Sequence, residues 1–199
     1  MRVSTRHTPA FGVARLLLSA GEAVEADARA MVASSFGVVE TRAGRRGGRT
    51  GSVFTAPQTG GWIDLAPDDA GDVHPVELDG RVGWSVARAA VLARPATVRR
   101  DHPWPAHQAL FGSDAGFLEH YSGTGPLVLA ARGPVDAFAL EAGEVITVSP
   151  AYVLGYPDPV QCRLRAVDPA GPQSVRTGEG LALDFAGPGT VLLQTRARR

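Results

Sequence analysis

Three of the five histidines, His102, His107 and His120, fall close together, with Asp101, Asp114 and Glu119 among them. Imidazoles and carboxylates are the usual ligands of divalent metals, and this is the stretch that holds enough of both. Metal ligation would require three neutral imidazoles to converge within bonding distance. Pro103 and Pro105 break the chain into a loop that allows it. The spacing follows no zinc pattern, and a polar surface loop is the plainer reading. A cupin-like enzyme, a β-barrel with a metal in its mouth, would use the same three histidines.

Other chemistry is weaker. Gly83-Trp84-Ser85-Val86-Ala87 approximates a nucleophile elbow but reads as strand, not as a strand-to-helix turn. Ser85 is therefore read as a core or sheet-face serine. Gly123-Thr124-Gly125 and Gly178-Glu179-Gly180 lack the further glycine and helix of a dinucleotide site and read as turns. Cys162 is the lone cysteine, which rules out an internal disulfide and a thiolate cluster. Set beside Val160 and Leu164, it reads as a buried, inert thiol. No catalytic residue and no cofactor is assigned.

Arginine is concentrated in two places, 42–49 and 196–199. Arg45, Arg46, Arg49, Arg196 and Arg198 are the candidate contacts to an anionic partner, RNA or anionic lipid. The first cluster lacks the interleaved aromatics on which single strands stack. A solvated loop and a frayed tail are the plainer readings. Gly44 to Gly51 carries four glycines and no large apolar side chain, so residues 42–51 are expected to form a flexible loop.

The elements that must position these residues are mostly strands. The chain has 199 residues with 24 Gly and 15 Pro spread throughout, and these breakers interrupt every candidate helix within a few turns. Ala23 to Val32 and Trp104 to Leu110 are the best helix candidates, the former outweighed by its strand-like repeat context. Short Val- and Leu-rich runs between breakers read as strands, and the fold class expected is all-β. One β-type run recurs at Met31–Ser34, Trp84–Ala87 and Ile146–Ser149. A Gly-x-Val turn recurs at Gly71-Asp72-Val73, Gly133-Pro134-Val135 and Gly189-Thr190-Val191, where glycine would supply positive φ. Together they suggest a single domain of three similar units: 14–39 plus 180–196, 61–93, and 125–155. The first unit would be completed by pairing the chain's two ends, burying Leu181, Leu183, Phe185 and Leu192 against the Leu16 to Val39 segment.

Arginine supplies all 20 basic residues against 20 acidic ones, leaving no net charge. A dedicated nucleic-acid binder usually carries a basic excess. A hydrophobic content of 44% argues against disorder, and no run approaches the ~20 apolar residues of a spanning helix. Met1 to Ala20 carries Arg2, Arg6 and Arg15 and no acid, as a presequence would, but Arg15 interrupts the apolar stretch a secretion signal needs. The absence of Lys and Asn suggests the GC-rich coding of a bacterium, and a cytoplasmic location is expected.

Thr177 to Arg196, with Gly187-Pro188-Gly189 and Gln194-Thr195-Arg196 inside it, resembles the closing signature of the mitochondrial biogenesis family of the altered-inheritance-of-mitochondria type. Ala20 to Ala26 followed by Ala30-Met31-Val32 resembles its opening motif, and Tyr121 to Gly155 its middle. The likeness runs from about Leu16 to Arg196 and departs at Thr41 to Gly61. It implies an all-β array of three similar units, related to double-stranded β-helices and to the barrel of the tryptophan RNA-binding attenuation protein. It implies no catalytic residues. In mitochondrial members the implied role is organising inner-membrane protein assemblies; in bacteria the role is open. The function expected is a non-enzymatic scaffold or binding module, working with a protein partner or a second copy of itself. Nucleic-acid binding through the arginines and a metal-dependent cupin-like enzyme are the alternatives. Peripheral membrane contact is compatible with the same arginines.

Overall fold

The computed structural model describes residues 1–46, 49–112 and 116–197, without the side chains of 43–46 and 49–50. The strands are β1 (Arg2–Arg6), β2 (Val13–Leu18), β3 (Ala23–Asp27), β4 (Met31–Ser34), β5 (Val39–Arg46), β6 (Arg49–Thr55), β7 (Gly61–Leu65), β8 (Val73–Asp79), β9 (Trp84–Ala87), β10 (Val91–Pro95) and β11 (Val98–Asp101). After α1 (Pro105–Phe111), the one α-helix among the described residues, come β12 (Leu118–Ala130), β13 (Val135–Leu140), β14 (Val145–Val148), a 3-10 turn (Pro150–Tyr152), β15 (Val153–Pro157), β16 (Gln161–Ala166), β17 (Leu181–Ala186) and β18 (Gly189–Gln194). The all-β expectation is met, and the helix falls on the Trp104 to Leu110 candidate. Ala23 to Val32 is strand, turn and strand, as its repeat context indicated.

The chain forms two compact units. Unit 1 contains Met1–Gly80, Ala89–Val98 and Gly123–Pro134. Its first sheet has the antiparallel order β1-β2-β7-β4. Its second runs from β8 through the later half of β12 to β10, β3, β6 and β5. Strict alternation in β2 sends Ala14, Leu16 and Leu18 inward, where they meet Val24, Phe54, Ile63, Leu65, Leu92 and Val128. Unit 2 contains Arg81–Arg88, Arg99–Ser122 and Val135–Arg199. There β14-β17-β16 packs over a sheet of β13, β18, β15, β9 and the first half of β12. Leu118, Leu140, Val153, Tyr156, Leu183, Phe185 and Val191 form its core. Each unit is thus a two-sheet sandwich held by one apolar layer.

The pairing expected between the chain's ends is not formed. Leu16 lies opposite Val3 and Ile63, whereas Leu183 lies opposite Val148 and Leu164. Both apolar edges are covered, but by strands of their own unit, which need no long-range closure.

The arginine segment also departs from expectation. β5 and β6 pair as far as Arg46 opposite Arg49, with a register shift between Arg42 and Arg45. A ladder needs only backbone N–H and C=O groups, so glycines and arginines can occupy it without burying apolar surface. The repeated Gly-x-Val turns use glycine in two ways. Gly133 and Gly189 have φ of 71° and 143°; at Gly71 a Cβ would stand 2.0 Å from the Ala131 carbonyl oxygen, so close approach excludes a side chain.

On the outer face of unit 1, Asp64 has a side chain only 3% exposed. It accepts from Arg15 Nε and Nη2, both at 2.8 Å, and from Arg6 Nη2 at 2.7 Å, while the Arg15 guanidinium lies over Trp62. The Arg15 hydrogen bonds hold the Asp64 carboxyl well below its usual range against the upward push of burial, with Arg6 adding to the effect. A carboxyl depressed in the folded state stabilises above its unfolded pKa of about 4 and loses that contribution as pH falls toward its folded value. Thermal melts should place Asp64→Asn about 4–8 °C below the parent at pH 7, the equivalent of ~2 kcal/mol. The gap should close as pH falls below about 4; a gap independent of pH would show that the charge is not what stabilises.

Candidate functional site

Unit 2 gathers the polar residues that the sequence placed near one another. Pro105 opens α1 and Gly112, in the left-handed conformation at φ 69°, closes it. One turn apart, His107 and Phe111 face inward, and Phe111 meets Phe117 edge-on at 4.9 Å. On the sheet beneath, β12 pairs with β9 so that His120 lies opposite Ser85. Directly opposite residues share a sheet face, which brings Ser85, His120 and His107 into one buried group. Ser85 Oγ is 3.0 Å from His107 Nε2, and the two imidazoles meet edge-to-face with centroids 6.3 Å apart.

His120 is clamped on both sides. Its Nδ1 is 2.9 Å from Asp101 Oδ2 and its Nε2 2.9 Å from Asp158 Oδ1. An ionised carboxylate can only accept, so both bonds exist together when each ring nitrogen carries its hydrogen. The Trp104 indole lies flat on the imidazole, with centroids 3.6 Å apart and planes 6° from parallel. Asp158 is itself fixed: the Gly83 N–H donates to Asp158 Oδ2 at 2.9 Å, and the Asp158 N–H to the Gly83 carbonyl at 3.0 Å.

These groups border a cavity of about 200 Å³ lined by Arg88, Arg100, Asp101, His102, Trp104, His107, Leu118, Glu119 and His120. Its two acids are engaged. Asp101 accepts from Arg99 and faces His120; burial pushes its carboxyl up, but Ser122, His120 and Arg99 outweigh that and hold it below the ordinary value. Glu119 accepts from Arg100 Nη1 at 2.9 Å and from the Tyr121 hydroxyl at 3.0 Å.

The three sequence-nominated histidines therefore do share a site, though not as a ligand triad. His102 is exposed at the cavity wall, His107 turns Nε2 toward Ser85, and both nitrogens of His120 face carboxylates. Among the described residues no group of three or more His, Cys, Asp or Glu is arranged to hold a metal ion; Asp114 lies outside the described residues. Ser85 lies within β9, as its strand reading implied. Cys162 borders Tyr156. Burial raises its thiol, against a lowering contact from Tyr156, to about 12, which leaves it protonated and poorly nucleophilic at neutral pH. Arg196 is exposed beyond β18, the side chains of Arg45, Arg46 and Arg49 lie outside those described, and Arg198 is also outside.

Sequence reasoning missed Trp104, Arg88, Arg100 and Asp158. A tryptophan between two prolines, Pro103-Trp104-Pro105, was an available signal. Asp158 carried none, because the residue it binds is remote in the chain.

A family model described as Mitochondrial biogenesis AIM24 matches residues 3–196. No curated protein matches the chain. Among solved structures, the crystal structure of protein SPYM3_0169 from Streptococcus pyogenes is similar to it, with 19% identity, a TM-score of 0.75, and coverage of 98% of this chain and 94% of that one. At that identity the likeness speaks for the fold. No helix among the described residues is long and apolar enough to cross a membrane. With the family model spanning nearly its whole length, the chain belongs to the AIM24 mitochondrial biogenesis family.

Proposed function

We propose that this AIM24-family chain is a non-enzymatic binding module, and that the unit 2 cavity is where it takes its ligand. One observation carries the reading: both ring nitrogens of His120 already face carboxylates 2.9 Å away. A general base needs a nitrogen within reach of the substrate proton, and this imidazole has both committed. What it contributes instead is rigidity, because a ring held at two edges and covered by Trp104 fixes the cavity wall. Pre-organised walls with aromatic and polar groups suit recognition of a small molecule.

The test is a ligand-observed NMR screen of a small-molecule library containing anions, cations and neutral compounds, with spectra repeated after overnight incubation. At least one class should bind saturably, lose binding in Trp104→Ala, and be recovered unchanged. Conversion of a bound compound, or no hit sensitive to Trp104→Ala, would overturn the reading. A second reading, docking of a protein partner or another copy, is favoured by the exposed apolar side chains Met31, Val32, Phe36 and Val39 of unit 1.

A further inference from the structure

Narrowing the docking reading of unit 1 to one partner, and independently of the cavity in unit 2, we infer that β5 pairs with the β5 of a second copy of this chain, antiparallel about a twofold axis at Thr41.

Among the described residues β5 is the last strand of its sheet and pairs with β6 alone. A strand in that position leaves backbone N–H and C=O groups on its outer side without a ladder partner. β4 is likewise the last strand of the first sheet, and the short connection 35–38 joins the two edges. Both sheets of unit 1 thus stop at one margin, where Met31, Val32, Phe36 and Val39 are exposed. Covering apolar side chains grouped in this way favours association.

Charge selects what covers them. Glu40, Thr41 and Arg42 are exposed. Glu40 lies opposite Phe54 and Arg42 opposite Ser52, so the two charges share a sheet face. Charged side chains on an edge strand blunt it against unrelated strands, but the alternation Glu40-Thr41-Arg42 is its own complement. A twofold axis perpendicular to the sheet keeps faces matched, so each open register centres on one residue. Centred on Glu40 or on Arg42, the pairing sets like charges against each other. Centred on Thr41, it sets Glu40 against the second copy's Arg42 and Arg42 against the second copy's Glu40. Opposite charges directly across a ladder stabilise it. Ser52 donates to Glu40 Oε1, and a carboxylate accepts more than one bond. The register shift between Arg42 and Arg45 limits the regular pairing to Val39 through Ala43, so the dimer exchanges with monomer as concentration changes.

Sedimentation equilibrium of the intact chain over a concentration series tests this. Dimers should form, and nothing larger, because an isologous contact closes on itself. Glu40→Arg and Arg42→Glu should each weaken the dimer by about tenfold or more, since each turns both attractive pairs into repulsive ones. Mixed in equal amounts, the two variants should associate with each other about as tightly as the parent does with itself. One then presents two arginines and the other two glutamates at the paired positions, and recovery on mixing shows that both are folded. Phe138→Asp, at an exposed position on β13, the edge strand of unit 2, should leave the dimer unchanged. A parent that stays monomeric up to ~1 mM would overturn the self-pairing and leave docking of a different protein standing. Larger assemblies, a dimer indifferent to both charge reversals, variants that do not associate on mixing, or dissociation by Phe138→Asp would overturn it as well.

Discussion

Gly83→Ala should lower the melting temperature of unit 2 by about 6–12 °C, although it adds one methyl group. The Cβ would stand 2.5 Å from Cε1 and Nε2 of His120 and 2.9 Å from Asp158 Oδ2. Contacts that close force something to move, and His120 has nowhere to go. It is 1% exposed, bonded on both edges and covered by Trp104. Overpacking of this kind with partial loss of a buried charged hydrogen bond costs ~3 kcal/mol, which gives the stated shift in a chain of this size. The double variant Gly83→Ala/His120→Ala should be less destabilised than the two single changes added together, because removing the ring removes the clash. Differential scanning calorimetry checks both statements. A single-variant shift under about 2 °C would mean that the clamp is looser than described.

Phe185→Ala is expected to lower the same transition by about 8–16 °C. Phe185 is fully buried on β17, the middle strand between β14 and β16, with its ring 4.9 Å from Tyr156. Truncating a buried phenylalanine leaves a cavity and costs ~4 kcal/mol, which gives that shift in a chain of this size. Removing residues 180–199 goes further, because it takes β17 from one sheet and β18, which lies between β13 and β15, from the other. Leu181, Leu183, Phe185, Val191 and Leu192 leave together. At ~2 kcal/mol for each side chain, that rivals the ~5–15 kcal/mol stability of a whole domain. A soluble fragment ending near Val175 in which unit 2 still melts cooperatively would contradict this account.

How much was legible beforehand varied with the range of the interaction. Short apolar runs between breakers identified strands: Met31–Ser34, Trp84–Ala87 and Ile146–Ser149 fall on β4, β9 and β14. Proline and glycine bounded α1. The grouping of His102, His107 and His120 was also local, since the bend before a short helix, the helix itself and the next strand carry them. Strand partnership was not legible, because Leu16–Leu18 and Val191–Leu193 each announce a need for cover without naming what provides it. Pairing those two edges with each other was reasonable and wrong; each is covered within its own unit. The ladder through Arg42–Arg46 was missed for a related reason, since backbone hydrogen bonds leave little trace in side-chain type. The decisive feature of the site, two carboxylates on one imidazole, depends on Asp158 in the turn between β15 and β16, which only the folded chain brings to His120.

The account's central claim is that the unit 2 cavity binds a ligand and leaves it unchanged. Isothermal titration of the tightest compound from the library screen into the intact protein, with NMR of the recovered solution, tests it most directly. The account predicts one site per chain, at least tenfold weaker binding in Trp104→Ala, and the compound recovered intact. Binding unaffected by Trp104→Ala, or chemical conversion of the compound, would contradict it.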